Sequence, residues 1–500
     1  MEQLPASLTF AAKRELPYAT HQLSSGNMLI TGYFGGWCIL TSDEWSQFST
    51  KIQISTPTLR TPNSLPPAPD SQSPAPYSEI LTTKLETAGV LISSTNLEEV
   101  VTLYRDLHRN LFLRPSLHII NTTNTCNYRC TYCHAGVSQG NSKMSTETAK
   151  KVASFILEHG EDTLTIEFQG GEALLNWDVL TTVTEEAKRL NTQRFHKHLN
   201  LCVVSNLSLL TPEKLDYLIE HEVSICTSLD GPAQVHNANR LRLGGAGTFE
   251  ETISKIKMVQ SRLSDHGKPA LVGALCTVTR HALPFSHEIV DLYRGLGLHT
   301  IHFRALNNLG DALAVWKDLN YTGEQFAEFW TQAMDYIIDL NKHGEEVIER
   351  GALFIIAKVL GRQDPLYTEM MSPCGAGRGQ ILYNHDGSIF TCDEGRMLFE
   401  DIFKIGDVTM PGKDVLSSND LLNTWAASFL DLTCYQCAFR PWCGTCPVVN
   451  YQTTKNVVPN IPESFWHKVY WHQFTYIFNK IDTDPQAVQI FKNWLSRGLW

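Results

Sequence analysis

No apolar run in this chain reaches the ~18 residues that a membrane-spanning helix needs. Glu2, Lys13, Arg14 and Glu15 stand near the start with no secretory-type apolar stretch between them. The reading is therefore a cytoplasmic protein with no membrane partner. Basic clusters are missing as well: 41 Lys and Arg face 52 Asp and Glu, a net charge of -11. Phosphate binding wants a basic face, so no nucleic-acid partner is expected, and a peptide or small molecule fits better. At 43% hydrophobic and 19% charged residues, the composition is that of a globular protein able to bury sizeable cores.

Cysteine is abundant instead. Thirteen in a chain of 500 residues do not suit the disulfide scaffold of a short secreted domain. In a long cytosolic chain, spaced cysteines point to metal ligation or catalysis. Three fall at 126, 130 and 133, and six fall between 374 and 446. Cys38, Cys202, Cys226 and Cys276 stand alone, and the last three sit in β-rich runs where a thiol is a small buried apolar group. Two metal regions are implied.

Residues 1–110 read as a small N-terminal α+β module: a hairpin through Asn27–Leu40, a helix from Ser42, a Pro-rich linker over 56–76, and a second helix from Ser78 to Gly89. A hairpin sheet of this kind suits peptide recognition by strand addition. Residues 111–330 alternate short β-rich runs with amphipathic helices, which predicts βαβ units and a parallel sheet. Six strands are expected: Leu117–Thr122, Thr163–Phe168, Leu199–Ser205, Val223–Leu229, Leu271–Val278 and His299–Arg304. Helix starts are marked by Ser145 and by Thr211-Pro212. A helical connector follows over 331–370, then a Cys- and turn-rich domain over 371–460, and a helical tail over 461–500. The fold class is thus α/β, a partial (β/α)6 TIM-like barrel flanked by two smaller parts.

The loop after the first barrel strand reads Cys126-Asn-Tyr-Arg-Cys130-Thr-Tyr-Cys133. Three thiolates so spaced can hold three irons of one [4Fe-4S] cube and leave the fourth open. An open coordination position separates a catalytic metal site from a closed one, and S-adenosylmethionine (SAM) can chelate that iron through its amino and carboxylate groups. A structural zinc or a closed cluster is the alternative, although zinc motifs more often pair CxxC units. Gln169-Gly170-Gly171-Glu172, Ser205-Asn206, Ser228-Leu229-Asp230-Gly231 and Thr277-Val278-Thr279 all close strands on the C-terminal side, where barrel enzymes build their sites. The glycines allow close approach of backbone to a ligand.

These motifs resemble the radical SAM superfamily, whose CxxxCxxC loop is matched by Cys126, Cys130 and Cys133. The resemblance implies that Gly170, Gly171 and Glu172 contact the SAM amino group, Ser205 and Asp230 the ribose, Arg240 the carboxylate and Tyr132 the adenine. The second cysteine region resembles the SPASM extension of peptide-modifying members, with Cys374, Cys392, Cys434, Cys437, Cys443 and Cys446 as ligands of one or two auxiliary Fe-S clusters. The family's last spacing is one residue longer, and its seventh, distal Cys is absent here. By the interleaved family pattern, Cys374, Cys392 and Cys446 serve one cluster and Cys434, Cys437 and Cys443 the other, with His385 a candidate to complete one. A zinc ribbon remains the alternative for this region.

Within the class the sequence is most similar to the His-Xaa-Ser system radical SAM maturases, B member, through Phe168–Glu172, Ser228–Pro232 with His236 to Arg240, Arg304 to Gly310, and Tyr383 to Gly387 with Asp393 to Leu398. This implies a peptide-modifying oxidoreductase acting on a ribosomally made precursor peptide by 5'-deoxyadenosyl radical hydrogen abstraction, with an oxidative crosslink as product. A second maturase and an external electron donor such as flavodoxin or ferredoxin are the implied partners. Asp393, next to the ligand Cys392, is the candidate catalytic base. The same acid supports an anaerobic sulfatase-type formylglycine maturase as runner-up, and a non-catalytic Fe-S or zinc protein is the rival from another class.

Overall fold

The structure is a computed structural model that describes residues 14–55, 77–93, 95–135, 140–427, 434, 436–457 and 464–498. The Pro-rich linker expected over 56–76 lies outside the described residues. The chain forms two compact units. One comprises Met1–Arg109, Asp431–Cys443 and Phe474–Val488; the other comprises Asn110–Leu430, Gly444–Gln473 and Gln489–Trp500.

In the first unit, β1 (Tyr18–Gln22), β2 (Met28–Gly32) and β3 (Trp37–Leu40) form an antiparallel meander. The expected hairpin is β2–β3, and β1 adds a strand that sequence reading left out. Helix α1 (Ser42–Ser55) follows at once, and α2 (Glu79–Thr87) starts at Ser78, whose Oγ accepts from the Leu81 amide at 3.2 Å. Ile30, Leu40, Phe48, Leu81 and Leu85 build the core, and Cys38 packs among them as a small apolar group. Each large side chain buried there contributes roughly 1.5–3 kcal/mol. Phe439 and Trp442 from the Cys-rich segment stack on Phe474 and Phe478, and Trp37 meets Phe478 edge-on.

The second unit is built on a nine-stranded mixed sheet. Its parallel part runs β4 (Leu117–Asn121), β5 (Thr163–Gln169), β6 (His198–Val204), β7 (Val223–Ser228), β8 (Gly273–Val278) and β9 (Phe303–Ala305) in spatial sequence. Between them lie α3 (Thr146–His159), α4 (Trp177–Leu190), α5 (Pro212–Glu220), α6 (Phe249–Asp265) and α7 (Ser286–Gly295). Ser145 and Thr211 cap α3 and α5 through their hydroxyls, as the sequence predicted. Five of the expected strands match within two residues at each end.

The sixth departs from expectation. His299–Arg304 splits into Thr300–Ile301, which pairs with Ile348–Glu349, and β9, which pairs with β8. The buried Glu349 carboxylate accepts from the Phe303 amide at 3.3 Å, from Trp330 Nε1 at 3.2 Å and from the first amides of the helix Arg350–Val359. It thus takes a ladder donor away from the strand and pins the break.

The open edge of β4 is covered by β10 (Gln380–Tyr383), parallel to it, followed by β11 (Ser388–Phe390) and β12 (Lys404–Asp407) in antiparallel pairs. The Cys-rich extension therefore continues the barrel sheet, which protects an edge that six parallel strands would leave bare. At the chain's end, the helices Phe465–Thr483 and Pro485–Ser496 replace the single one expected. Among the described residues no helix is long and apolar enough to cross a membrane.

Candidate active site

The cluster loop is held against the C-terminal ends of the strands by backbone. Gly171 N donates to Thr123 O at 2.7 Å and Glu172 N to Thr125 O at 2.9 Å. A Cβ on Gly170 would lie 2.4 Å from Thr123 O, and one on Gly171 2.3 Å from Thr125 O. Both glycines thus permit the close approach of the cluster loop itself, a contact that the sequence reading did not include. Gly310, at φ +58, makes a similar approach: its Cβ would lie 2.3 Å from His134 O, and the next amide, Asp311 N, donates to Cys133 O at 2.8 Å.

Cys126, Cys130 and Cys133 are brought together at this loop, close enough to raise one another's pKa. None of the thirteen cysteines is in a disulfide. Burial pushes the Cys126 thiol up to about 11 and the Cys130 thiol up to about 12. Metal binding at these two thiols therefore releases protons.

Two buried polar networks flank the loop. In the first, Glu172 is 2% exposed and accepts from Ser205 Oγ at 2.7 Å, Asn206 N at 2.8 Å and Leu174 N at 3.0 Å. Asn206 Nδ2 reaches Cys126 Sγ at 3.9 Å. In the second, Asp230 accepts from Tyr132 Oη at 3.0 Å and Asn239 Nδ2 at 3.1 Å, while Arg240 donates to Tyr132 Oη at 2.8 Å. Asn239 Oδ1 also accepts from Thr279 Oγ1 at 3.0 Å. Burial raises the pKa of both Glu172 and Asp230. Burial alone would lower that of Arg240, but Cys130, Tyr132 and Asp230 hold it well above its ordinary value. All seven SAM-facing candidates thus lie on the C-terminal rim. Asn206 and Thr279, which help to bridge them, were legible only as small polar residues at strand ends, and Asn239, at the end of the helix Ala233–Asn239, only as part of the segment His236 to Arg240.

Three buried polar atoms beside the loop, Thr125 Oγ1, His134 Nε2 and Arg240 Nε, have no hydrogen-bond partner. Such orphans, next to three converging thiols, fit a site that takes up a charged polar group.

In the same unit, Cys374, Cys392 and Cys446 come within electrostatic reach of one another. Burial pushes Cys374 up to about 12, and Cys392 and Cys446 well above their usual value. Cys434, Cys437 and Cys443 belong to the first unit, where Cys437 N donates to Cys434 O at 3.0 Å. His385 is half-buried in the turn between β10 and β11, and Asp386 and Arg396 are the charges that act on it. Cys202 and Cys226 line a hollow inside the barrel, and Cys276 is fully buried.

Asp393 and Glu394 do not form an exposed turn. Asp393 is 9% exposed and pairs with Arg396 at 3.2 Å, and Glu394 shares Arg304 with Glu369, both at 2.6 Å. Sequence reasoning had Arg304 and Arg396 only within family segments, without a role, and missed Glu369, whose local pattern is that of a surface charge.

The open parallel barrel with three thiols at its C-terminal rim is the part of the chain that resembles a known family. Residues 120–302 match the family model described as Radical SAM superfamily, and the fold is the radical SAM α/β fold. The chain is 23% identical over 320 residues to a cysteine-type anaerobic sulfatase-maturating enzyme of Clostridium perfringens, a match covering 61% of this chain and 80% of that one. Among solved structures it is similar to native anSMEcpe with bound AdoMet and Cp18Cys peptide, at TM-score 0.63 and 18% identity, over 76% of this chain and 99% of that one. It is also similar to SuiB of Streptococcus suis bound to precursor peptide SuiA, at TM-score 0.52 and 13% identity, over 90% and 98%. The chain spans between 56 and 78% of the length of the first four curated relatives it matches. The superfamily's cofactors are a [4Fe-4S] cluster and SAM.

Proposed function

We propose that this protein is a radical SAM peptide maturase that removes a hydrogen from a residue of a ribosomally made precursor and forms an oxidative crosslink. The observation that carries the reading is the pairing, in one unit, of the Cys126/Cys130/Cys133 loop with a second buried triad, Cys374/Cys392/Cys446, beside Asp393. Cys126, Cys130 and Cys133 would hold the SAM-binding cluster, and the Cys374 and Cys434 sets one or two SPASM-type clusters. When bound, the first cluster and SAM supply a hydrogen-abstracting 5'-deoxyadenosyl radical.

The protein's own residues do the rest. Glu172 and Asp230 fix the rim by accepting hydrogen bonds, and Arg240 brings a cation to the SAM carboxylate. Asp393, buried and held by Arg396, takes the proton that leaves when the new bond closes. The similarity to SuiB, solved with a precursor peptide, favours this substrate class. The B-type His-Xaa-Ser maturases are the proposed subfamily, acting beside a second maturase, with flavodoxin or ferredoxin as electron donor and the cytoplasm as location. The β1–β3 module would bind the precursor's leader.

A second reading, a formylglycine-forming sulfatase maturase, is favoured by the 23% identity to such an enzyme. Co-expression with short peptides encoded beside the gene, followed by mass spectrometry, separates the two. Loss of two hydrogens, with fragmentation that places a new bond between two residues and no aldehyde captured by a hydrazide, supports the crosslink. A formylglycine in a sulfatase motif, or no modified peptide at all, contradicts it.

A further inference from the structure

Closed eight-stranded barrels fill their interior with side chains and build their sites on the C-terminal rim. Here the interior is hollow on the other side. A cavity of about 1130 Å³ opens where the strands begin, with Thr163, Asn200 and Ser224 near its mouth and Glu167, Cys202 and Cys226 further along the same strands. It exceeds the ~300–1,000 Å³ of ordinary ligand pockets. Thr163 and Glu167 both lie on β5, so the carboxylate sits roughly 13 Å inside the mouth at ~3.3 Å per residue.

The cavity that holds Glu167 carries more acid than base on its lining, with Glu161, Asp162 and Glu222 set against Arg350 and Lys268. The one recorded partner of Glu167 is Gln169, whose side-chain amide donates to it, and it makes no ion pair among the described residues. The charges that act on it are Asp393, Arg350 and Arg304. Arg304 is committed to Glu369 and Glu394, and Asp393 to Arg396. Arg350 lines the same cavity and offsets part of the burial effect on Glu167, but it is exposed, lies over the Phe354 ring 5.3 Å from its centroid and makes no ion pair with the carboxylate among the described residues. Burial accordingly raises the Glu167 pKa. Gln169 meets one carboxylate oxygen, and a cation entering the cavity would meet the other.

We propose that this cavity is a second binding site, entered from the N-terminal mouth of the barrel, for an aliphatic ammonium or guanidinium group on an extended stem, anchored on Glu167. Leu117 and Phe354 line the path and suit the stem, while Thr165 and Asn200 offer neutral polar contacts. Either a Lys or Arg side chain of a peptide or a free diamine has this chemistry. The site does not depend on the peptide-maturase reading, because its occupancy is measured without turnover.

The test is saturation-transfer NMR on the reconstituted enzyme with three probes: an acetylated Gly-Lys-Gly amide, its norleucine counterpart, and cadaverine. The lysine peptide or cadaverine is expected to bind at least about tenfold more tightly than the norleucine peptide. Which of the two binds better tells peptide side chain from free amine. Glu167→Gln should erase the preference, and Ser224→Trp, at the exposed mouth, should block all three. Equal binding of the lysine and norleucine peptides by the wild-type protein, binding of none, or a preference that survives Glu167→Gln overturns the proposal.

Discussion

Replacing Gly171 with alanine puts the contact between strand end and cluster loop under direct strain. The added Cβ would meet Thr125 O at 2.3 Å, Thr125 C at 2.6 Å and Asn124 O at 2.9 Å, all of them backbone atoms. No rotamer can relieve that, so the loop must retreat by roughly 1 Å, and overpacking of this kind costs about 1–3 kcal/mol. The retreat also stretches the bonds from Gly171 N to Thr123 O and from Glu172 N to Thr125 O, worth ~1 kcal/mol each. A loss of about 3 kcal/mol lowers the melting midpoint of a unit this size by roughly 4 °C, at ~2.1 cal/mol/K of unfolding entropy per residue. Because Cys126 directly follows Thr125, iron retention should fall with stability.

The assay is thermal unfolding together with iron per protein after anaerobic reconstitution. Gly295→Ala is the control: it ends α7, nothing lies within 4 Å of the added Cβ, and it should be neutral or stabilising by ~0.5–1 kcal/mol. Wild-type iron content and an unchanged midpoint in Gly171→Ala would refute the reasoning.

Three further outcomes are expected. Asp393→Asn keeps size and most hydrogen bonding but loses basicity, so it should retain iron and SAM cleavage yet give several-fold less modified peptide per deoxyadenosine; an unchanged ratio would remove Asp393 from the mechanism. His118, buried between Tyr383 Oη and Pro115 O, is pushed down to about 3 by burial. Below the unfolded value of ~6.5 only the unfolded chain binds this proton, so stability falls by ~1.4 kcal/mol per pH unit, about 2 kcal/mol by about pH 5. His118→Gln should flatten that slope in urea titrations, and an identical slope in both proteins would contradict it. Deleting residues 1–100 should sharply weaken precursor binding, measured by fluorescence anisotropy, while SAM cleavage persists; equal affinity would make the β1–β3 module a plain structural part.

The barrel was legible because β-rich runs and capped helices alternate with a period that only parallel βαβ units explain. Ser145 and Thr211 marked helix starts through chemistry local to a few residues. The cluster loop was legible because spacing alone puts three thiols together. What escaped reading depends on partners far along the chain. β10–β12 join the sheet at β4 across more than 250 residues, and Glu349 breaks the sixth strand from 46 residues away. The loop contact of Gly170 and Gly171 escaped for the same reason, since the backbone they approach belongs to the preceding loop, and Arg304 had a place in a family segment but no role until Glu369 and Glu394 close on it.

The central claim is that Cys126, Cys130 and Cys133 hold the cluster that cleaves SAM. It is tested most directly by measuring 5'-deoxyadenosine released by reduced, anaerobically reconstituted protein, wild type against Cys130→Ala and the triple Cys→Ala variant. The account predicts release by the wild type and none above background by either variant, whereas deoxyadenosine formed at the wild-type rate by the triple variant would contradict it.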